Sequence, residues 1–274
     1  MSFPQGHNEI QEHDTSSGGD DGPLSDARLA RRLADSAGRV LLQLRRDGAA
    51  LEPDALKAAG DLRSQQHLAA ELGQHRPADS VLSEEATDDA ARLAADRVWI
   101  IDPLDGTREF SEIPRQDWAV HVALWEAGEL VAGAVARPAM GDTLATDEPP
   151  ALQARAEGPI RLAVSRTRPP TFVTALAARL DAELVPMGSA GVKATAVLDG
   201  TVDAYVHAGG QFEWDSAAPV AVARSAGLHT SRIDGSPLRY NQSDPRLPDL
   251  LVCRPEHADH LLSVIEELTK GEVQ

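Results

Sequence analysis

The pattern of apolar and polar positions predicts a chain that begins with helices and continues into strands. Apolar residues recur at helical spacing between Ser25 and Gly48, which predicts an amphipathic first helix. A second helix is expected from about Asp61 to Gly73. The following apolar runs are short and predict a strand followed by a hairpin. These runs are Val81-Leu82, Val98 to Ile101, Ala119 to Trp125 and Leu130 to Ala136.

The second half of the chain alternates strand-like and helix-like segments, which indicates an α/β unit. A Pro-containing acidic segment at 147–150 precedes it and indicates a boundary. The expected strands and helices are Ile160 to Val164, Thr171 to Leu180, Val202 to His207, a helix that follows Asp215 and ends at Gly227, and His257 to Leu268. We therefore expect an N-terminal α+β domain at 23–150 and a C-terminal α/β domain at 151–274. Residues 1–22 carry five acidic residues and no Lys or Arg, which predicts a disordered acidic tail.

The amino-acid composition argues against several classes of function. The net charge of −17, without a basic cluster, argues against a nucleic-acid partner, because such binding depends on clustered Lys and Arg. No apolar run approaches the roughly 18–20 residues of a membrane span, so we expect no membrane contact and a cytoplasmic protein. The single cysteine, Cys253, excludes an internal disulfide and a cysteine-built metal site. The expected partner is a small molecule.

The strongest local signal is a pair of carboxylates at the end of an apolar strand. Asp102 follows Val98 to Ile101 directly, Pro103 restricts the turn, and Asp105 follows three residues later. Gly106 then permits close approach of the backbone to a ligand. Converging carboxylates are costly unless neutralised, and oxygen ligands without cysteine favour Mg²⁺ over Zn²⁺. A solvated Asp-Pro-x-Asp-Gly turn is the alternative interpretation.

Two further acids occur at comparable positions elsewhere in the chain. Glu84 and Glu85 follow the short run Val81-Leu82, and Asp215 stands just before a helix rich in small residues. Alone, a Glu pair is typical of a solvated face, and an Asp at a helix start is typical of an N-cap. Their joint occurrence with Asp102 and Asp105 favours one metal-binding centre.

These motifs together resemble the inositol monophosphatase-like superfamily of Mg²⁺-dependent, lithium-sensitive phosphatases. The similarity lies in W-x-x-D-P-[IL]-D-G-T-x-x-F at 99–110, in W-D-x-A-A at 214–218, and in the upstream Glu84-Glu85 pair. The resemblance implies a layered α-β-α-β-α sandwich that combines α+β and α/β halves, with two or three Mg²⁺ ions per site and inhibition by Li⁺. It also implies a small phosphorylated metabolite as substrate. Because members are often dimeric, a homodimer is a further expectation.

The resemblance also assigns metal ligands. It implies that Glu84, Asp102 and the Leu104 carbonyl hold one Mg²⁺, and that Asp102, Asp105 and Asp215 hold a second. Asp102 then bridges the two ions.

Further roles come from the same resemblance. Asp61 occupies the place of an acid that orients water or helps to bind a third ion, although the segment before it departs from the family pattern and an N-cap is the alternative. Glu84 and Thr107 are implied to activate a water molecule that attacks phosphorus in line. The amides of Gly106 and Thr107 are expected to contact the phosphate.

The second half of the chain bears on the substrate. Ser165 to Arg168 resembles a segment that meets the nucleotide in the bisphosphate nucleotidases, which makes Arg166 and Arg168 candidate substrate ligands. Ser189 and Lys193 lie in a Gly-Ser-x-x-Lys-like element, from which Lys193 is expected to approach a second phosphate. Arg166 and Lys193 as ordinary surface cations are the alternative.

These basic residues favour the CysQ-like nucleotidase branch, which acts on 3'-phosphoadenosine 5'-phosphate in sulfate assimilation and on its sulfated precursor. The activities that stay open are inositol-1-monophosphatase, fructose-1,6-bisphosphatase, or a broad specificity that includes both. A non-catalytic Mg²⁺-binding regulatory protein is a more distant alternative.

Overall fold

A computed structural model describes residues 24–155 and 157–271, so the expected tail at 1–22 lies outside the described residues. Within these ranges, ten strands form two five-stranded sheets. The first sheet contains β1 (Ser80–Ser83), β2 (Arg97–Asp105), β3 (Ala119–Glu126), β4 (Glu129–Arg137) and β5 (Asp142–Ala145), in that spatial order. The second contains β6 (Arg161–Ser165), β7 (Glu183–Met187), β8 (Ala204–Phe212), β9 (His229–Ser231) and β10 (Arg246–Cys253), in the order β7-β6-β8-β10-β9.

Seven α-helices cover and separate these sheets. They are α1 (Asp26–Asp47), α2 (Pro53–His75), α3 (Thr107–Ser111), α4 (Thr171–Leu180), α5 (Ala190–Thr195), α6 (Glu213–Ser225) and α7 (Ala258–Gly271). Helices α1 and α2 pack on the outer face of the first sheet, and α4 and α7 pack on the outer face of the second. Helices α5 and α6 lie between the sheets in a shared apolar core. The result is the layered α-β-α-β-α sandwich expected from the resemblance.

Strand β2 is the centre of this arrangement, because both of its faces are buried. Val98 and Ile100 face the core between the sheets, whereas Trp99 and Ile101 face α1 and α2. A strand that is covered on both faces has a continuous run of apolar residues, and the sequence of β2 shows such a run. The strand therefore holds Asp102 and Asp105 on a rigid element.

The structure corrects one helix boundary. The second helix starts at Pro53 with Glu52 as its N-cap, not near Asp61, so the N-cap interpretation of Asp61 is wrong. The signal that marks this helix start in the sequence is Pro53, because proline is favoured at the first position of a helix. Asp61 lies in the middle of α2, one residue after Gly60. A methyl group at Gly60 would come within 2.8 Å of the Leu104 side chain, so this glycine lets α2 approach the Asp102–Asp105 turn closely.

Within the residues that the structure describes, no helix is both long enough and apolar enough to cross a membrane.

Candidate active site

Four acids from three separate segments meet between the sheets. Asp102 and Asp105 stand at the end of β2, Glu84 follows β1, and Asp215 lies in the first turn of α6. Strands β1 and β2 are parallel neighbours, so both deliver their acids to the same edge. Asp102 and Asp105 are buried, at 1% and 8% exposure.

Asp102 presents one unpaired oxygen to this centre. Its Oδ1 accepts a hydrogen bond of 3.0 Å from the Leu104 amide, which closes the turn after β2. Its Oδ2 is buried and has no hydrogen-bond partner among the described residues. A buried carboxylate oxygen without a donor is costly, and it indicates a missing positive partner.

Asp105 is held by one oxygen in the same way. Its Oδ2 accepts hydrogen bonds from the Ser189 hydroxyl and, at 2.7 Å, from the Gly191 amide, both at the start of α5. The same oxygen lies 3.2 Å from Nε2 of His121. Oδ1 accepts no hydrogen bond from the described residues and stays available to a ligand.

Asp215 is the third carboxylate of which one oxygen accepts a hydrogen bond from a backbone amide. Its Oδ2 accepts a hydrogen bond of 2.6 Å from the Phe212 amide, which is the N-cap position of α6. The helix therefore starts at Glu213, before the position expected from the sequence, and Asp215 contributes to its capping box. Phe212 stacks on Trp214 with a centroid distance of 4.7 Å, and this contact stiffens the same turn.

Crowding of these acids changes their protonation. Burial, and then the charges of Asp215 and Asp105, raise the pKa of Glu84 to about 7, although the residue as a whole is exposed. Burial and the charge of Asp105 raise the pKa of Asp215 to about 6. Burial and the three neighbouring acids raise the pKa of Asp102 well above its ordinary value. The metal-free centre therefore holds protons at neutral pH.

Asp61 and Thr107 form the rim of the centre. The Thr107 hydroxyl donates a hydrogen bond of 3.1 Å to the Leu104 carbonyl and lies 3.5 Å from Oδ1 of Asp61. Burial and the charge of Glu85 raise the pKa of Asp61 to about 6. The structure thus brings Asp61, Leu104 and Thr107 to the carboxylate centre.

The donor set fits a divalent cation. Asp102, Asp105 and Asp215 each use one oxygen for a backbone hydrogen bond and leave the other free, and the Glu84 carboxyl lies against Asp102. Free carboxylate oxygens suit a hard cation. A bound cation would give Oδ2 of Asp102 a closer positive partner than Nδ1 of His121, which lies 4.0 Å away.

His121 is a site residue that the sequence analysis missed. It lies in β3 opposite Asp102, is fully buried, and belongs to a group with Asp102 and Asp105 whose potential ligand atoms lie within 4.8 Å of one another. Its Nδ1 lies 3.0 Å from the Trp214 carbonyl, so this nitrogen donates a proton. Burial lowers the pKa of His121, but the adjacent Asp105 outweighs that effect and raises it. The ring is therefore hydrogen-bonded to the Trp214 carbonyl through Nδ1 and lies against Asp105 through Nε2.

A cavity of about 300 Å³ opens beside the carboxylate centre. Its lining includes Gly106, Thr107 and three arginines: Arg108, Arg166 and Arg168. Arg166 donates to the carboxylates of Glu109 and Glu112, at 2.7 and 2.8 Å, so its charge is already matched.

The side chains of Arg108 and Arg168 have no ion pair within the described part of the chain, although the Arg168 amide donates to Ser165.

Ser189 and Lys193 lie next to this cavity without lining it. The Ser189 hydroxyl is directed to Asp105 and also caps α5 by accepting from the Val192 amide at 3.0 Å. Lys193 is 5% exposed, and its ammonium donates to the Gly188 and Ser189 carbonyls. The structure therefore does not direct Lys193 into the cavity, and Ser189 acts on an acid of the centre.

A five-layered sandwich with converging carboxylates between its sheets defines a class of phosphatases. The chain belongs to the inositol monophosphatase family, whose model matches residues 25–270. A relative from Mycobacterium leprae (strain TN), named 3'-phosphoadenosine 5'-phosphate phosphatase, is 51% identical over 257 residues, which are 89% of this chain and 95% of the relative. A relative of the same name from Mycobacterium tuberculosis (strain CDC 1551 / Oshkosh) is 53% identical over 84% of this chain and 90% of its own length.

Solved structures agree with this assignment. CysQ from Bacteroides thetaiotaomicron is 26% identical, with a TM-score of 0.67 over 83% of this chain and 96% of that one. An inositol monophosphatase from Zymomonas mobilis, at 23% identity, has the same fold, with a TM-score of 0.71 over 88% of this chain and 97% of that one.

Proposed function

We propose that this protein is a Mg²⁺-dependent phosphatase that hydrolyses the 3'-phosphate of 3'-phosphoadenosine 5'-phosphate, releasing AMP and inorganic phosphate. The observation that supports the proposal is the sequence identity to two phosphatases of that name, which is 51% and 53% across most of each chain. The sulfated precursor of this nucleotide is a second substrate, and the proposed setting is sulfate assimilation in the cytoplasm. We further propose inhibition by Li⁺ and assembly as a homodimer, as the family resemblance implies.

The free oxygens of the centre support the proposed metal ligands. Glu84, Asp102 and the Leu104 carbonyl would hold one Mg²⁺, and Asp102, Asp105 and Asp215 would hold a second. When bound, Mg²⁺ supplies positive charge that offsets the phosphate oxygens and lowers the pKa of water. We propose that Asp61, whose Oδ1 lies 3.5 Å from the Thr107 hydroxyl, helps with a third ion or with water.

The protein's own side chains can manage the proton of the attacking water. A carboxyl group with a pKa of about 7, such as that of Glu84, can accept a proton near neutral pH. The Thr107 hydroxyl, already anchored on the Leu104 carbonyl, can orient the same water. Attack at phosphorus breaks the bond between phosphorus and the 3'-oxygen, so no phosphorylated protein is required.

The adjacent cavity supports a substrate with two phosphate groups. A phosphate at the acids leaves the second phosphate to be bound by cations, because the net charge of −17 repels it. Arg108 and Arg168 line the cavity without an ion pair from the described residues, whereas Arg166 pairs with Glu109 and Glu112. We therefore assign the second phosphate to Arg108 and Arg168.

Replacing these arginines should affect the bisphosphate selectively. A hydrogen bond to a charged group contributes about 1.5–3 kcal/mol, so Arg108→Gln and Arg168→Gln should each lower kcat/KM for 3'-phosphoadenosine 5'-phosphate by about 10- to 100-fold. The same variants should hydrolyse 3'-AMP, which lacks the 5'-phosphate, as the unmodified protein does. The measurement is kcat/KM for both substrates at saturating Mg²⁺.

The matched control is Arg239→Gln, which changes an exposed arginine that does not line the cavity. It should leave both substrates unaffected. Equal losses on the two substrates in the Arg108 and Arg168 variants would remove these residues from the second phosphate site.

The function itself is tested by phosphate release from 3'-phosphoadenosine 5'-phosphate, inositol 1-phosphate and fructose 1,6-bisphosphate, with Mg²⁺ and with or without Li⁺. A large preference for the nucleotide, suppressed by Li⁺, is the expected result. Comparable efficiency on the other two substrates would indicate a broad phosphatase. No Mg²⁺-dependent release from any of them would favour the non-catalytic regulatory alternative.

Protonation of the acids predicts how Mg²⁺ stabilisation depends on pH. The pKa values of Glu84 and Asp215 rise from 4.5 and 3.8 to about 7 and about 6, so between about pH 4 and pH 7 these two groups bind more protons in the folded metal-free protein than in the unfolded chain. Their contribution to the free energy of unfolding therefore falls as pH rises through this range. Mg²⁺ replaces those protons, so the gain in Tm on adding Mg²⁺ should be larger at about pH 8 than at about pH 5.5. Thermal unfolding with and without Mg²⁺ measures the gain, and an equal gain at both pH values would contradict the prediction.

A further inference from the structure

His121 connects three segments that no contiguous motif joins. The residue lies in β3, while its ring nitrogens face Asp105 at the end of β2 and the Trp214 carbonyl at the start of α6. The third segment is the start of α5, because Gly191 lies against the ring. A methyl group at Gly191 would come within 2.0 Å of Nε2, so α5 is fitted around His121.

The contact with Asp105 determines which oxygen of that carboxylate is free. Oδ2 accepts hydrogen bonds from the Ser189 hydroxyl and the Gly191 amide, and Nε2 of His121 lies 3.2 Å from it as a close contact without hydrogen-bond geometry. Rotation of the carboxylate would lose both hydrogen bonds and the contact with the ring. Oδ1 is therefore the oxygen presented to a cation.

The contact with Trp214 fixes the other side of the centre. Nδ1 lies 3.0 Å from the carbonyl of the residue immediately before Asp215. A histidine ring is rigid and carries its two nitrogens on opposite sides, so it can hold both neighbours at a set separation. An amide side chain is shorter or more flexible and reaches one of them.

We infer that His121 is a positioning residue, which orients Asp105 so that its Oδ1 serves the metal centre. The inference deepens the proposed function and rests on it, because it concerns Mg²⁺ affinity at the same acids. Partners that orient metal ligands typically contribute about 10- to 100-fold in metal affinity.

Two neutral variants separate the two contacts of the ring. The amide nitrogen of His121→Gln can take the place of Nε2 and keep the contact with Asp105. The amide nitrogen of His121→Asn can take the place of Nδ1 and keep the contact with the Trp214 carbonyl. Because both variants lack the charge of a protonated ring, a difference between them reports on position.

The measurement is Mg²⁺ binding to the metal-free protein by isothermal titration calorimetry, together with the Tm shift on adding Mg²⁺. We expect Kd for Mg²⁺ to be about 10- to 100-fold higher in His121→Asn than in His121→Gln. Equal Kd values in the two variants would overturn the inference.

The control is His67→Asn, which removes a partly buried histidine that contacts Ser36 away from the acids. It should leave Kd unchanged. If the unmodified protein itself fails to bind Mg²⁺, the proposed function fails first, and that result is distinct from equal binding by the two variants.

Ser189→Ala provides a second test that does not depend on the folding of either His121 variant. It removes a donor to Oδ2 of Asp105 while leaving the histidine in place. Mg²⁺ affinity should again fall. If it does not, Asp105 needs no holding at Oδ2, and the positioning role of His121 is excluded.

Discussion

Asp102→Asn should abolish turnover while leaving the metal-free protein at least as stable as before. The substituted amide can keep an oxygen at the Oδ1 position for the Leu104 amide, so the turn after β2 is preserved. It places an NH₂ group where Oδ2 had no donor, which relieves repulsion with the neighbouring acids. The same change removes the oxygen proposed to bridge two cations. Because metal ions supply several kcal/mol of transition-state stabilisation, kcat/KM should fall by about 1,000-fold or more.

The measurements are kcat/KM with Mg²⁺ and Tm without it, at about pH 8, which is above the pKa values of about 7 for Glu84 and about 6 for Asp215. The matched control is Asp203→Asn, another buried aspartate, which pairs with Arg155 and Arg161 outside the site. Breaking a buried pair of this kind lowers stability, so the control should lose Tm and keep kcat/KM. An Asp102→Asn variant with nearly normal turnover would remove Asp102 from the centre.

The sequence predicts the centre better than its surroundings, because the acids stand beside strong structural signals. Asp102 and Asp105 follow an apolar run long enough to indicate a doubly buried strand. Asp215 precedes a run of small apolar residues that indicates a closely packed helix. The local patterns alone indicate an α+β unit followed by an α/β unit, and the five-layered order was implied by the family resemblance. The position of α6 between two sheets depends on contacts that no local pattern encodes.

His121 shows why some site residues cannot be predicted from the sequence. A single histidine in the apolar strand β3 resembles a satisfied core residue, because neither of its partners is near it in the chain. Asp105 is 16 residues before it, and Trp214 is 93 residues after it. Lys193 illustrates the opposite case. Its place in a Gly-Ser-x-x-Lys-like element suggested contact with a phosphate, whereas in the structure it is buried and bonded to backbone carbonyls. Both cases depend on how α5 packs against β3, which only the folded chain defines.

Gly191→Ala should be the most damaging of the small substitutions near the centre. The added methyl would lie 2.0 Å from Nε2 and 2.9 Å from Cε1 of His121, a ring with no exposed surface. Overpacking of this kind typically costs about 1–3 kcal/mol, which is about 2–10 °C in Tm for a protein of this size. The Gly191 amide also donates to Oδ2 of Asp105, so the displacement should disturb the acid and lower kcat/KM by about 10-fold or more.

Removing the His121 ring should reverse the sign of the effect of Gly191→Ala on stability. Alanine is favoured over glycine inside a helix by about 1 kcal/mol, and Gly191 lies in α5 without a positive φ. In a His121→Ser background the added methyl meets no ring, so Gly191→Ala should become neutral or stabilising. Thermal unfolding of the four proteins in this double-mutant cycle measures the coupling. Gly73→Ala, at a helical glycine with nothing within 4 Å of the added methyl, is the control and should be stabilising in both backgrounds. If Gly191→Ala costs the same with and without the ring, the packing of α5 against His121 does not explain why this position holds glycine.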